Sequence, residues 1–315
     1  MNELILKNLN SKQKKQFKVD FIGIGAQKCA TTWVAKCLSQ HPQICFPKNK
    51  ELHFYNKKAN FYHERKDWQY LKGISWYLDQ FKHCSIASIK GEFSTHYHHD
   101  PKTPALIKEH FPNIKLIFIV RNPTERLISS YFQGKFDGKR KRKLPDIKKI
   151  IKEKTDFIET GFYIDHIKRY LRYFSKEQLL ILIYEDIKRD PQKFIKSIYN
   201  FLNVDDNFVP ESLNKRVNVT GPKTSLLRSN YINWKNKIMS SKIKKNIMFF
   251  LKPLKLNKLI LKIVFDPTDK LIKKYTHNKE KKGVPKEIIK ELNQTYQDKN
   301  KELEIFLNRK LEWSE

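Results

Sequence analysis

Short apolar runs alternating with stretches of helical period predict an α/β chain, with a central parallel sheet flanked by helices and a mostly helical C-terminal third. Three observations carry this. Four apolar runs have strand length: Val19–Ile24, Ile86–Ile89, Leu116–Val120 and Leu179–Ile183. Helix-period segments separate them, as parallel strands require. Beyond about Asn203 the strand signal fades and helical patterns take over.

Taken in order, residues 1–18 are a polar, Lys-rich lead-in without the apolar run of a signal peptide. Val19–Ile24 reads as a buried strand and Gly25–Thr32 as the loop after it. A helical period resumes at Trp33, with Val34, Cys37 and Leu38 on one face, and stops near His41-Pro42. Pro123–Phe132, Tyr163–Phe174 and Pro191–Leu202 are the next helical patterns, each near an interior strand. From Leu226 the chain reads as helices and loops and closes on a helix over Lys286–Leu307. There is no internal repeat, so residues 19–315 are expected to form one domain.

The 315 residues include 21 Phe, 14 Tyr and 5 Trp, material for a large core, which excludes a disordered polycation. Nine Gly, 13 Pro and 4 Cys exclude collagen-like, low-complexity and disulfide-scaffold chains. Net charge is +31, from 53 Lys and 11 Arg against 33 acidic residues. Such a field attracts nucleic acid, anionic membrane or acidic small molecules and glycans, and lysine-rich codon usage also produces it. No stretch approaches the ~20 apolar residues of a membrane span. Cys29, Cys37, Cys45 and Cys84 form no C-x-x-C pair and match no zinc spacing. Idle thiols in a reducing compartment, and hence a cytoplasmic protein, are expected.

Four segments carry candidate chemistry. Gly25-Ala26-Gln27-Lys28-Cys29-Ala30-Thr31-Thr32 ends a strand and opens a helix, where unpaired N–H groups and the helix dipole bind phosphate. Lys28 adds a point charge, and Thr31 and Thr32 add hydroxyls; an ordinary βα turn is the alternative. At the exit of the Leu116–Val120 strand, Arg121 occupies the edge where open α/β sheets bind ligands, and Ser129 lies two helical turns further on. The alternative makes Arg121 and Arg126 surface ion-pair partners of Glu125 or Asp137. In Lys50-Glu51-Leu52-His53-Phe54-Tyr55-Asn56, Glu51 and His53 share one face of an extended segment, as a general base with a proton donor or as a surface pair. Gly91-Glu92-Phe93-Ser94-Thr95-His96-Tyr97 is the fourth. Its His96 runs into His98, His99 and Asp100, a metal pattern that alternation splits between two faces, so no metal is expected.

These segments resemble the signatures of the PAPS-dependent sulfotransferases. Gln27 to Trp33 (Gln27, Lys28, Cys29, Ala30, Thr31, Thr32, Trp33) is similar to that family's P-loop-like 5′-phosphosulfate loop, with Ala30 where a glycine is usual and Trp33 where one branch stacks adenine. Arg121-Asn122-Pro123 through Ser129-Ser130-Tyr131 resembles the 3′-phosphate signature, with Arg121 and Ser129 on its two binding positions. Lys50 to Asn56 looks like the K-E-x-H-F-F-D segment of the carbohydrate branch, including the enzymes acting on heparan sulfate; Asn56 replaces the Asp. The resemblance implies Glu51 as the base, His53 as its assistant and His96 as the alternative base. It also implies PAPS as sulfate donor. The acceptor hydroxyl is that of a carbohydrate or glycolipid, or else of a small alcohol or phenol. Phe93 stands at the usual lysine position.

A P-loop kinase or hydrolase places its lysine directly before Ser/Thr, which this loop does not. A nucleic-acid module needs a binding motif, and none is present. The basic run Lys135–Lys143 suits an acidic acceptor or a solvated face, and Ile247–Phe265 suits a peripheral membrane helix or a lid.

Overall fold

The computed structural model describes residues 18–60, 63–64, 68–85, 88–136, 147–153, 155–214 and 284–313. At its centre β1 (Phe21–Gly25) is buried on both faces, as its continuous apolar run requires. β2 (Ile44–Cys45), β5 (Ile89–Phe93), β6 (Lys115–Val120) and β7 (Leu179–Ile183) complete a five-stranded sheet in the order β2-β5-β1-β6-β7. Every pairing in it is parallel, with Ile22 opposite Glu92 on one side and Leu116 on the other. A small antiparallel pair, β3 (Lys58–Asn60) and β4 (His63–Glu64), lies apart from this sheet.

The helices follow the expected alternation. They are α1 (Thr31–Leu38), α2 (Gly73–Asp79), α3 (Thr103–His110), α4 (Pro123–Phe136), α5 (Ile147–Lys152), α6 (Asp156–Glu159), α7 (Tyr163–Leu171), α8 (Tyr184–Arg189), α9 (Pro191–Leu202) and α10 (Lys286–Leu307). α9 shows why the pattern was readable. Asp190 caps it by accepting from the Lys193 N–H at 2.8 Å, Pro191 fills the first turn, and Asn203 ends it in the left-handed conformation. Its Phe194, Ile195, Ile198, Tyr199 and Leu202 form the buried stripe.

Two expectations change. The strand placed at Ile86–Ile89 runs from Ile89 to Phe93, because a fully buried Lys90 and Glu92 disguise it as polar loop; residues 86 and 87 lie outside the described ones. The thiols are not all idle. Cys45 on β2 and Cys84 beyond α2 are joined as a disulfide across 39 residues, whereas Cys29 and Cys37 are free and buried. The basic stretch at 139–143 and the segment Ile247–Phe265 lie outside the described residues.

The chain divides into two compact units. The first comprises Met1–Leu127, Lys148–Val219 and Ile289–Glu315, and holds the sheet. The second comprises Ile128–Ile147 and Thr220–Ile288, of which the described part is mainly the C-terminal half of α4. Among the described residues no helix is long and apolar enough to cross a membrane.

Candidate active site

The loop after β1 is shaped by backbone conformations that side chains rarely adopt. Gly25 has φ +152°, and a Cβ there would lie 2.4 Å from His98 Nδ1. A Cβ on Gly23 would fall 2.0 Å from the Phe93 ring, so these two glycines let β5 and the chain after it close on β1. Lys28 (φ 70°) and Ala30 (φ 59°) are both left-handed. Ala30 caps α1 through its backbone alone, its carbonyl accepting from Trp33 and Val34, and no side chain caps the helix. The first N–H groups of an α-helix have no intrahelical partner, and here they open at the carboxyl edge of the sheet beside Lys28. Thr31 is buried and Thr32 half-buried. Gln27 presents a buried Oε1 with no hydrogen-bond partner among the described residues. The Cys29 N–H donates to the Ala26 carbonyl at 3.3 Å. Burial pushes its thiol up to about 12, an effect the nearby Arg126 and Arg121 only partly offset, so it stays neutral.

Trp33 departs from its expected role. It is 6% exposed, its Nε1 donates to the Ser212 carbonyl at 3.1 Å and its ring packs on Phe194. Sitting on the core face of α1, the indole anchors that helix and is not placed as a platform for adenine.

Arg121 leaves the end of β6 and reaches back to this loop, its Nη1 donating to the Lys28 carbonyl at 3.4 Å. Glu125, one turn along α4, receives Nε at 3.2 Å and Nη2 at 2.5 Å, and the guanidinium covers the Tyr184 ring at 4.6 Å. The ion pair foreseen for Arg121 is therefore present, and it orients the guanidinium toward the loop. Arg126 is not a surface residue. It is fully buried and donates to the Phe157 carbonyl at 2.8 Å. Ser129, in the second unit, is buried with an Oγ that has no hydrogen-bond partner among the described residues.

The acid–base candidates converge. Glu51 and His53 are left-handed (φ 66° and 51°) rather than extended, and the bent chain brings Glu51 Oε2 to 3.1 Å from His53 Nε2. Lys50 Nζ sits 2.8 Å from Glu51 Oε1, and Thr95 Oγ1 donates to Glu51 Oε2 at 3.3 Å. On the far side of the imidazole, His53 Nδ1 lies 3.1 Å from Asn56 Oδ1, which fixes the ring plane. His96, the alternative base, belongs to the same cluster: ligand atoms of Glu51, His53 and His96 all lie within 4.8 Å of one another. Burial alone raises the Glu51 carboxyl, but the hydrogen bond from His53 and the Lys50 ammonium outweigh it and hold it well below the usual carboxylate range.

A buried scaffold, which sequence reasoning recorded without assigning it a role, supports this cluster. Glu92 on β5 accepts from Ser94 Oγ and from Tyr97 OH, each at 2.7 Å. The two hydroxyls in turn accept from the backbone N–H groups of His53 (2.9 Å) and Phe54 (2.8 Å). Burial raises the Glu92 carboxyl, an effect its hydroxyl donors reduce. The signal available was the G-E-x-S-x-x-Y spacing itself. Phe93, at the usual lysine position, is wholly buried against Phe21 and Phe46. The Ser94 and His98 N–H groups bond to the carbonyls of Gly23 and Ile24, so Thr95 and His96 lie beside the end of β1.

The metal pattern at His96, His98, His99 and Asp100 does not assemble. His98 packs beneath Gly25, where burial first and neighbouring histidines second push its imidazole well below its ordinary range. Asp100 instead accepts from the Lys57 and Lys102 N–H groups at 3.0 Å. Among the described residues, the three-ligand groups are Glu51–His53–His96 and Cys45–His83–Cys84.

Fold and site together define an α/β protein with a strand–loop–helix turn of left-handed residues and a Glu–His–His cluster beside the end of β1 in a parallel sheet. The sulfotransferase-domain family model matches residues 18–303, and the chain belongs to the sulfotransferase family. It is 30% identical over 211 residues to a mouse bifunctional heparan sulfate N-deacetylase/N-sulfotransferase 4, covering 60% of this chain and 22% of that protein. It is 29% identical over 190 residues to mouse heparan sulfate glucosamine 3-O-sulfotransferase 5, covering 58% of this chain and 52% of the other. The chain thus spans between about a fifth and a half of these relatives. Among solved structures, a sulfotransferase from Alicyclobacillus acidocaldarius superimposes with a TM-score of 0.55 at 26% identity, over 64% of this chain and 87% of that one.

Proposed function

We propose that this protein transfers a sulfuryl group from PAPS to an acceptor hydroxyl on a carbohydrate or glycolipid, by in-line displacement. The observation that carries the reading is the Glu51–His53–His96 cluster, beside the end of β1, where Lys28 and the start of α1, which has no side-chain cap, also lie. The heparan sulfate sulfotransferases among the relatives support a carbohydrate acceptor. Family membership favours this over a nucleotide kinase or hydrolase.

The residues present fit the donor. Lys28, Thr31, Thr32 and the first N–H groups of α1 suit a 5′-phosphosulfate. Arg121, anchored by Glu125, suits a 3′-phosphate, a role the family resemblance also gives Ser129. Trp33 is left out of this set because its Nε1 is held by the Ser212 carbonyl and its ring by Phe194. When bound, PAPS supplies the sulfuryl group. Glu51 Oε2 takes the proton of the acceptor hydroxyl, His53 keeps that carboxylate aimed, and Lys28 stabilises charge on the departing phosphate oxygen.

Incubation with labelled PAPS and a panel of glycans, glycolipids and small alcohols tests the reading. Sulfate on a sugar hydroxyl is the expected product, and transfer only to phenols or small alcohols overturns the carbohydrate part. Glu51→Gln should keep its affinity for adenosine 3′,5′-bisphosphate and lose most turnover; unchanged turnover moves the base to His96.

A further inference from the structure

A second cluster, away from the acid–base residues, has the donor chemistry of a metal centre. Cys45 closes edge strand β2, and His83 and Cys84 follow α2. His83 Nε2 lies 3.9 Å from Cys45 Sγ and 3.9 Å from Cys84 Sγ. With zinc bonds of about 2.3 Å to sulfur and about 2.0 Å to nitrogen, a tetrahedral ion spaces those atoms about 3.6 Å apart. The imidazole is therefore already at ligand distance from both sulfurs. His83 is exposed, Cys45 half-buried and Cys84 buried, so the cluster has a wet side from which an ion can enter. His83 Nε2 is 3.1 Å from the Phe46 carbonyl, so in the disulfide form this nitrogen carries the proton.

We propose that Cys45, Cys84 and His83 form a thiol-gated site for a soft or borderline divalent ion of the zinc class, closed when the two sulfurs are bonded to each other. A dithiol or phosphine reductant gives two electrons to the Cys45–Cys84 bond, is itself oxidised, and two protons complete the thiols. The ion then displaces both thiol protons, His83 moves its proton to Nδ1, and two thiolates with Nε2 bind the metal, leaving the fourth position to solvent. Two thiolates neutralise the ion's charge, an advantage the Glu51–His53–His96 group lacks because Lys50 lies against Glu51. Both states tie β2 to the chain beyond α2, and β2 leads within six residues to Glu51. Reduction without metal releases that tie. The spacing escaped sequence reasoning because 37 residues separate the first ligand from the His-Cys pair.

Cobalt titration of the full chain, reduced with a phosphine and desalted without oxygen, tests this. One equivalent should produce thiolate-to-cobalt charge-transfer absorption that zinc abolishes, and the oxidised chain should show none. Cys84→Ser should remove the band, and His83→Ala, a change at an exposed residue that leaves the fold intact, should weaken cobalt binding at least tenfold. The proposal is overturned by absence of the band in the reduced wild type or by its persistence in Cys84→Ser. An unchanged affinity in His83→Ala, or cobalt absorption without thiolate character, overturns it equally.

Discussion

Ala30 is the residue where local cost and local use are easiest to separate. It holds φ 59°, ψ 16° at the mouth of α1, a conformation costing an L-residue roughly 1–2 kcal/mol. Glycine removes that cost but adds about 0.5–1 kcal/mol of chain entropy on folding, so Ala30→Gly should be net stabilising by about 0.5–1 kcal/mol. A higher urea midpoint at unchanged slope is the expected result, and a lower midpoint refutes the strain argument. Lys50 carries a second prediction. Its ammonium helps hold the Glu51 carboxyl far below the ordinary range, which makes Glu51 a weak base at rest. Lys50→Met should raise that carboxyl and move the acidic limb of the kcat/KM profile to higher pH. Because the folded value is depressed, the ion pair stabilises the protein above the unfolded carboxylate range near about 4.3 and loses that contribution as pH falls below it. The variant should consequently lose less stability on acidification than the parent. A pH profile that does not move assigns the base to another group.

At the scale of elements, what the sequence disclosed depended on whether burial and hydrophobicity agreed. β6, β7, α9 and α10 are apolar or periodic where they are buried, and each was legible to within a residue or so. β5 hid because Lys90 and Glu92 are charged and yet buried. The same glutamate is the hub of the scaffold under Glu51 and His53, so the misplaced strand and the unassigned motif have one cause. The residues of the site were legible through their spacing, but their arrangement was not. An extended segment was expected, and left-handed turns at Glu51 and His53 close the pair instead. Trp33 misled in the opposite direction, since its neighbours suggested a ligand while its helix face points into the core. Tyr97 tests the scaffold. Tyr97→Phe strips a donor from buried Glu92 and an acceptor from the Phe54 N–H, which should cost about 1–3 kcal/mol. It should also lower kcat roughly tenfold by loosening the acid–base segment. Affinity for adenosine 3′,5′-bisphosphate, which the proposed function assigns to a different loop, should stay within twofold. A fall in that affinity as large as the fall in kcat shows that the scaffold supports the fold in general rather than this segment.

At the scale of the whole molecule, the charge of +31 asks for a physical consequence. Lys28 and Arg121, the cations proposed to face the donor, are two of 64 basic residues, so a donor's anionic groups do not explain the excess. A surplus of this size raises the local concentration of any polyanion and speeds its encounter by about 10- to 1,000-fold at low salt, an effect that screening removes over a Debye length of about 8–10 Å at physiological ionic strength. A sulfated or uronic glycan should therefore show a kcat/KM that falls at least tenfold between 10 mM and 300 mM salt, on the order expected for steered association. Most of that loss should lie in KM. A neutral oligosaccharide of the same backbone gains nothing from the field, and its kcat/KM should change less than twofold over the same range. Measuring both acceptors at saturating PAPS isolates the effect from donor binding, which salt also weakens. Parallel salt dependence for the two acceptors makes the lysine excess irrelevant to acceptor capture. Divergence makes it part of how the enzyme selects an acidic chain, with the specificity distributed over the surface and the chemistry concentrated at Glu51.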